Sequence, residues 1–79
     1  MSLLNQWKET TAAAIAACNQ LQESGEEISY SKSRIDFTVF FNMGSRRQSM
    51  TFLLGFSSDI VKLNHFTARI KKGLVVNAN

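Results

Sequence analysis

Arg34-Ile35-Asp36-Phe37-Thr38-Val39-Phe40-Phe41 is the stretch on which the fold turns. Its residues alternate. Ile35, Phe37, Val39 and Phe41 fall on one side of an extended chain, and Arg34, Asp36, Thr38 and Phe40 on the other. A period of two with one apolar row predicts a strand buried on a single face. Asn42-Met43-Gly44-Ser45-Arg46-Arg47 follows with turn chemistry carried by Asn and Gly. Gln48 to Phe56 then alternates again, with Met50, Phe52, Leu54 and Phe56 on one row. So short a connection makes the pair an antiparallel hairpin. Any register that sets Phe41 against an even-numbered residue brings both apolar rows to the same side, so the two patterns support each other.

Upstream, residues 2–24 predict one amphipathic helix. Leu4, Trp7, Thr11, Ala14, Ile15, Cys18 and Leu21 recur at helical spacing, Ser2 suits the N-cap, and Gly25 suits the position just past the end. Glu26-Glu27 begins a connection to the hairpin. Downstream, Ser57-Ser58-Asp59 offers capping residues for a second helix. In that helix Ile60, Leu63, Phe66, Thr67, Ile70 and Leu74 line one face, and Lys62, His65, Arg69 and Lys72 the opposite one. Gly73 reads as the residue after its end, and Leu74-Val75-Val76 offers a short C-terminal third strand. The expected fold is a single small α+β domain over 1–79. Its order is α–β–β–α, with both helices packed on the one apolar face of an antiparallel hairpin sheet.

Seventy-nine residues bury roughly 60–65% of their unfolded surface, so the net stability is small. One cysteine forms no internal disulfide, and no Cys/His cluster stands ready for a metal. A domain without such staples gains from association, which makes a homodimer the expected state. Ile15-Ala16-Ala17-Cys18 resembles a lipobox, but Lys8, Glu9, Thr10 and Thr11 occupy the place of the apolar run a signal peptide needs. No stretch has the length and apolarity of a membrane span, so a soluble cytoplasmic protein without membrane contact is expected.

Catalytic chemistry finds little to work with. His65 is the only histidine and stands on a polar helix face. Cys18 falls in the apolar stripe, where a thiolate is disfavoured. Asp36 and Asp59 have no companion carboxylate, and the glycines stand too far apart for a phosphate-cradling loop. A non-enzymatic protein with no cofactor is the expectation.

Charge is the feature that points to a partner. Residues 1–27 carry a net −3 and residues 28–79 a net +6. Arg46-Arg47 is predicted at the hairpin tip, where two guanidiniums can grip phosphate or carboxylate. Lys32 and Arg34 lie near the other end of the first strand, and Lys62, Arg69, Lys71 and Lys72 decorate the second helix. The order of elements resembles, in layout only, that of double-stranded RNA-binding domains, which run α–β–β–β–α. Those domains have a Lys-rich start to the last helix, whereas Lys71 and Lys72 stand at its end here. Phe40 and Leu53 are predicted on the outer sheet face, where they form an apolar patch if they meet across the strands. The leading expectation is a protein-interaction module, an adaptor, small subunit or inhibitor, binding a partner protein through Phe40, Arg46, Arg47, Leu53 and the sheet edge. The alternative is a nucleic-acid-binding protein whose phosphate contacts are Lys32, Arg34, Lys62, Arg69, Lys71 and Lys72.

Overall fold

A computed structural model describes residues 2–72, and of Met43 the backbone alone. Two helices and a three-stranded antiparallel sheet run in the order α1 (Leu3–Glu23), β1 (Ser29–Lys32), β2 (Asp36–Met43), β3 (Arg46–Leu53) and α2 (Ser57–Lys71). Among the described residues the sheet order is β1-β2-β3, which leaves β1 and β3 as edges.

α1 starts and stops where its chemistry requires. The Ser2 hydroxyl accepts the Asn5 backbone N–H at 3.1 Å, satisfying one of the donors that a helix start leaves open. At the other end Gly25 takes φ 93°. Its N–H donates to the Gln22 carbonyl and that of Glu26 to the Leu21 carbonyl, both at 3.0 Å, the paired bonds of a Schellman cap. The Gln22 side chain then holds the Ile28 carbonyl at 2.7 Å and steers the chain into β1.

β1 is the element the sequence reading lacked, so the two-strand layout is corrected to three strands. Its four residues pair Ser29 with Phe40, Tyr30 with Val39, Ser31 with Thr38 and Lys32 with Phe37. Ser29 and Ser31 lie on the outer face, so the segment has the composition of a loop. Only Ile28 and Tyr30, with Tyr30 stacked on Phe37 at 5.8 Å, carry a strand signal. Ser33, Arg34 and Ile35 are the connection to β2 rather than its start. The Ser33 hydroxyl accepts the N–H groups of Ile35 and Asp36 and donates to the Asp36 carboxylate at 2.8 Å. Ile35, expected in the buried row, is consequently 64% exposed.

In the hairpin Phe37 faces Phe52, Val39 faces Met50 and Phe41 faces Gln48, the parity that puts both apolar rows on one side. The turn is tighter than expected, two residues instead of six, because β2 runs on to Met43 and β3 begins at Arg46. Gly44 adopts φ 64° while Ser45 does not take positive φ, as a type II′ turn requires of its first central residue. A Cβ on Gly44 would meet no atom within 4 Å, so Gly44→Ala tests backbone conformation alone. An L-residue held in the left-handed region is expected to cost about 1–2 kcal/mol, read as a lower urea midpoint with an unchanged slope.

The helices cover one face of the sheet, α1 against β1, α2 against β3, and each against the other. Trp7, Ala14, Ala17 and Cys18 from α1 meet Phe37, Val39, Phe41 and Phe52 from the sheet and Ile60, Leu63, Phe66 and Ile70 from α2 in one core. Two of the three buried threonines are satisfied inside their own helices, Thr11 donating to the Trp7 carbonyl and Thr67 to the Leu63 carbonyl, each at 2.8 Å. Leu4 and Phe56, assigned to buried rows from spacing, are exposed. Leu4 lies in the first turn of α1, and β3 ends at Leu53, three residues short of Phe56. Ser57, Ser58 and Asp59 form the first turn of α2 rather than its cap, and the Asp59 carboxylate accepts the Leu53 N–H at 2.9 Å, tying helix to strand. The expected strand at 74–76, the Leu74 contact and the Gly73 stop lie outside the described residues.

Candidate functional site

The predicted site residues separate into four places. At the hairpin tip, strand alternation sends Arg46 and Arg47 to opposite faces of the sheet. Arg47 lies across the outer face, where its guanidinium donates to the Glu27 carbonyl at 3.2 Å and to Asn42 Oδ1 and Ser29 Oγ at 3.3 Å. Asn42 in turn donates to the Glu27 carboxylate at 2.9 Å. Arg47 thus joins all three strands to the connection before them, and the two guanidiniums do not form one fork. Arg46 is exposed and makes no side-chain hydrogen bond among the described residues.

On the outer face Phe40 stands between Ser29 and Ser49, and Leu53 opposite Asp36. Four positions along β3 separate Leu53 from Ser49, roughly 13 Å at strand spacing, with the bonded pair Thr38 and Thr51 between them at 3.0 Å. The two apolar side chains therefore do not meet, and the expected patch resolves into a half-buried Phe40 and a separate Leu53 on a hydroxyl-rich surface.

A third place lies along α2 and the open side of β3. There Phe41, Met50, Val61 and Phe66 form the walls of an apolar groove of about 270 Å³, with Lys62, His65 and Arg69 at its rim. Met50 belongs to the inward row but stands on the edge strand, and it is left 39% exposed. Val61 is 55% exposed. The spacing i, i+3, i+7 carries Lys62, His65 and Arg69 along one side of α2. Helical spacing located the three rim residues. The role of Met50 was hidden, because alternation tells inward from outward but not how far a helix reaches across an edge strand.

The fourth place is at the opposite end of the sheet from the hairpin turn. Lys32 and Arg34 line a cleft of about 310 Å³ together with Leu4, Trp7 and Lys8 of α1. Lys8, excluded from the basic region on sequence position, is brought to it by the packing of α1 on β1. Trp7 is 1% exposed, and its indole Nε1–H finds no acceptor. A buried donor left unpaired costs about 1–3 kcal/mol, so this atom calls for an explanation. Lys71 and Lys72 sit at the end of α2, away from this cleft.

Among the described residues there is no group of three or more His, Cys, Asp or Glu that could hold a metal ion, and no helix is long and apolar enough to cross a membrane. Burial pushes the Cys18 thiol up to about 11. At pH 8 Ellman's reagent should therefore label the folded protein far more slowly than the urea-unfolded chain. Equal rates would show that α1 opens freely. Comparison of the chain with protein-family models, with curated proteins and with solved structures finds no match.

Proposed function

We propose that this protein is an interaction module that binds a partner protein through the open edge of β3 and the groove beside it. The observation that carries this reading is a conjunction. An eight-residue edge strand, paired with β2 on one side and with no strand on its other side among the described residues, lies beside an apolar groove with a basic rim. Edge strands recruit extended segments by main-chain hydrogen bonds, and neighbouring pockets select their side chains. An apolar groove supplies the area, and Lys62, His65 and Arg69 select against basic partners. The segment that fits is apolar in its anchoring residues and acidic in those flanking them.

A second copy of the chain fits this groove less well. Antiparallel pairing of β3 with its own copy would bring Lys62, His65 and Arg69 of each protomer toward those of the other. A homodimer, if it forms, is better placed on another face. Light scattering at micromolar concentration reads the state directly, and the expected result is a monomer that shifts only when an acidic apolar segment is added.

Nucleic-acid binding is the weaker reading. Lys32 and Arg34 lie at one end of the sheet and Arg46 at the other, roughly 20–25 Å apart along the eight residues of β3, and Arg47 is engaged within the chain. The first turn of α2 carries Ser57, Ser58 and Asp59, so the place where double-stranded RNA-binding domains concentrate lysine is here neutral to acidic. Binding of labelled duplex and single-stranded DNA and RNA at low and physiological salt separates the two readings. A steep fall of affinity with salt and sensitivity to Lys62 and Arg69 but not to Met50 would favour nucleic acid.

A further inference from the structure

The cleft between the first turns of α1 and the end of β1 is distinct from the β3 groove and has its own chemistry. Three cations from three elements, Lys8 of α1, Lys32 of β1 and Arg34 of the β1–β2 connection, line it, and none makes an ion pair among the described residues. Lys32 takes its place by register. It pairs with Phe37 and so belongs to the row that faces the helices, at the one position of β1 where that row runs past the core. The wall between these cations is Trp7, whose buried Nε1–H has no acceptor. Three like charges line this cleft with no acidic side chain among its lining residues to offset them. An anion whose charge the three side chains share supplies what the cleft lacks. Arg34 offers a planar pair of donors and the lysines two point charges, a set that suits a tetrahedral dianion better than a single carboxylate. Leu4 and Arg34 also line a shallower apolar hollow with Ile35 and Leu54, so an apolar body attached to the anion has a surface to lie on.

We propose that this cleft is a binding site for a small phosphate monoester, its phosphoryl group held by Lys8, Lys32 and Arg34 beside the Trp7 wall and its apolar body resting on Leu4, Ile35 and Leu54. The site does not depend on the β3 groove and stands or falls separately from it.

Trp7 is the chain's only tryptophan, so its fluorescence reports on the cleft without a label. The full chain is titrated with inorganic phosphate and with n-butyl phosphate at constant ionic strength maintained by sodium chloride, with n-butanol as control. The expected result is a saturable change in emission with both phosphates, n-butyl phosphate saturating at lower concentration, and no saturable change with n-butanol. Lys32→Gln and Arg34→Gln each weaken apparent affinity at least tenfold. Both residues are exposed, so the folded state persists and circular dichroism verifies it. Emission that follows sodium chloride alone, or saturation that survives both substitutions, overturns the site. Saturation by n-butanol equal to that by n-butyl phosphate overturns the phosphoryl assignment. Calorimetry on the wild type, Lys32→Gln and Arg34→Gln adds a reading that does not need the indole, with the same loss of phosphate affinity expected.

Discussion

Phe66→Ala is expected to cost about 3–5 kcal/mol, the largest stability loss predicted for any single substitution in this chain. The residue is the joint between α2 and the sheet. Its ring lies 5.6 Å from that of Phe41 and 5.8 Å from that of Phe52, tilted against both, and is 4% exposed. Removing it forfeits the transfer energy of a buried aromatic and two ring–ring contacts, and leaves a void between α2 and the sheet that closes only by pulling the two together. A domain of this length has a total stability of about 4–12 kcal/mol, so the loss is a large share of the whole. Urea denaturation followed by circular dichroism measures it. A loss below about 1 kcal/mol would mean that the rings are not packed as described.

Met50→Asp carries the second large effect, and it falls on binding rather than on folding. Met50 is the exposed apolar member of the inward row of β3 and lies in the apolar groove. A carboxylate there removes an anchoring contact and sets a desolvated charge against the partner's apolar residues. Truncating a central contact of this kind costs about 2 kcal/mol or more, some thirtyfold in affinity or greater. Because the side chain is already partly solvated, the change in folding stability should stay within about 1 kcal/mol. Arg69→Glu reverses one rim charge, and its expected effect is a slower association that depends on salt. Binding unaffected by Met50→Asp while the fold is intact would remove the groove from the interface.

The hairpin, both helices and most of the core were legible in the sequence, for a physical reason. Where a buried face is wide, the periods of two and of 3.6 leave unmistakable rows. Phe37, Val39, Phe41 and Phe52 in the sheet, and Ile60, Leu63, Phe66 and Ile70 in α2, are such rows. β1 escaped notice because only one of its faces is covered and the other is serine, which leaves Ile28 and Tyr30 as the sole apolar signal in six residues. Ile35 and Phe56 were misplaced because alternation continues past the points where Ser33 and Gly55 bend the chain. Of the candidate sites, the basic residues of α2 were visible as a set because one helix carries them. The cleft of Lys8, Lys32 and Arg34 was not, because three elements far apart in sequence build it. The pairing of Arg46 with Arg47 was misleading, since adjacent residues in a strand point to opposite faces.

The claim at the centre of this account is that the edge of β3 and the groove between β3 and α2 receive an extended segment with apolar anchors and acidic flanks. Selection of random peptides displayed on phage against the immobilised protein tests it most directly, followed by affinity measurement on wild type, Met50→Asp and Arg69→Glu. The account predicts enrichment of sequences with apolar anchors flanked by Asp and Glu, binding at micromolar strength or better, and weakened about thirtyfold or more by Met50→Asp. Enrichment of basic or uncharged sequences, or peptides that bind the Met50→Asp protein as well as wild type, would contradict it.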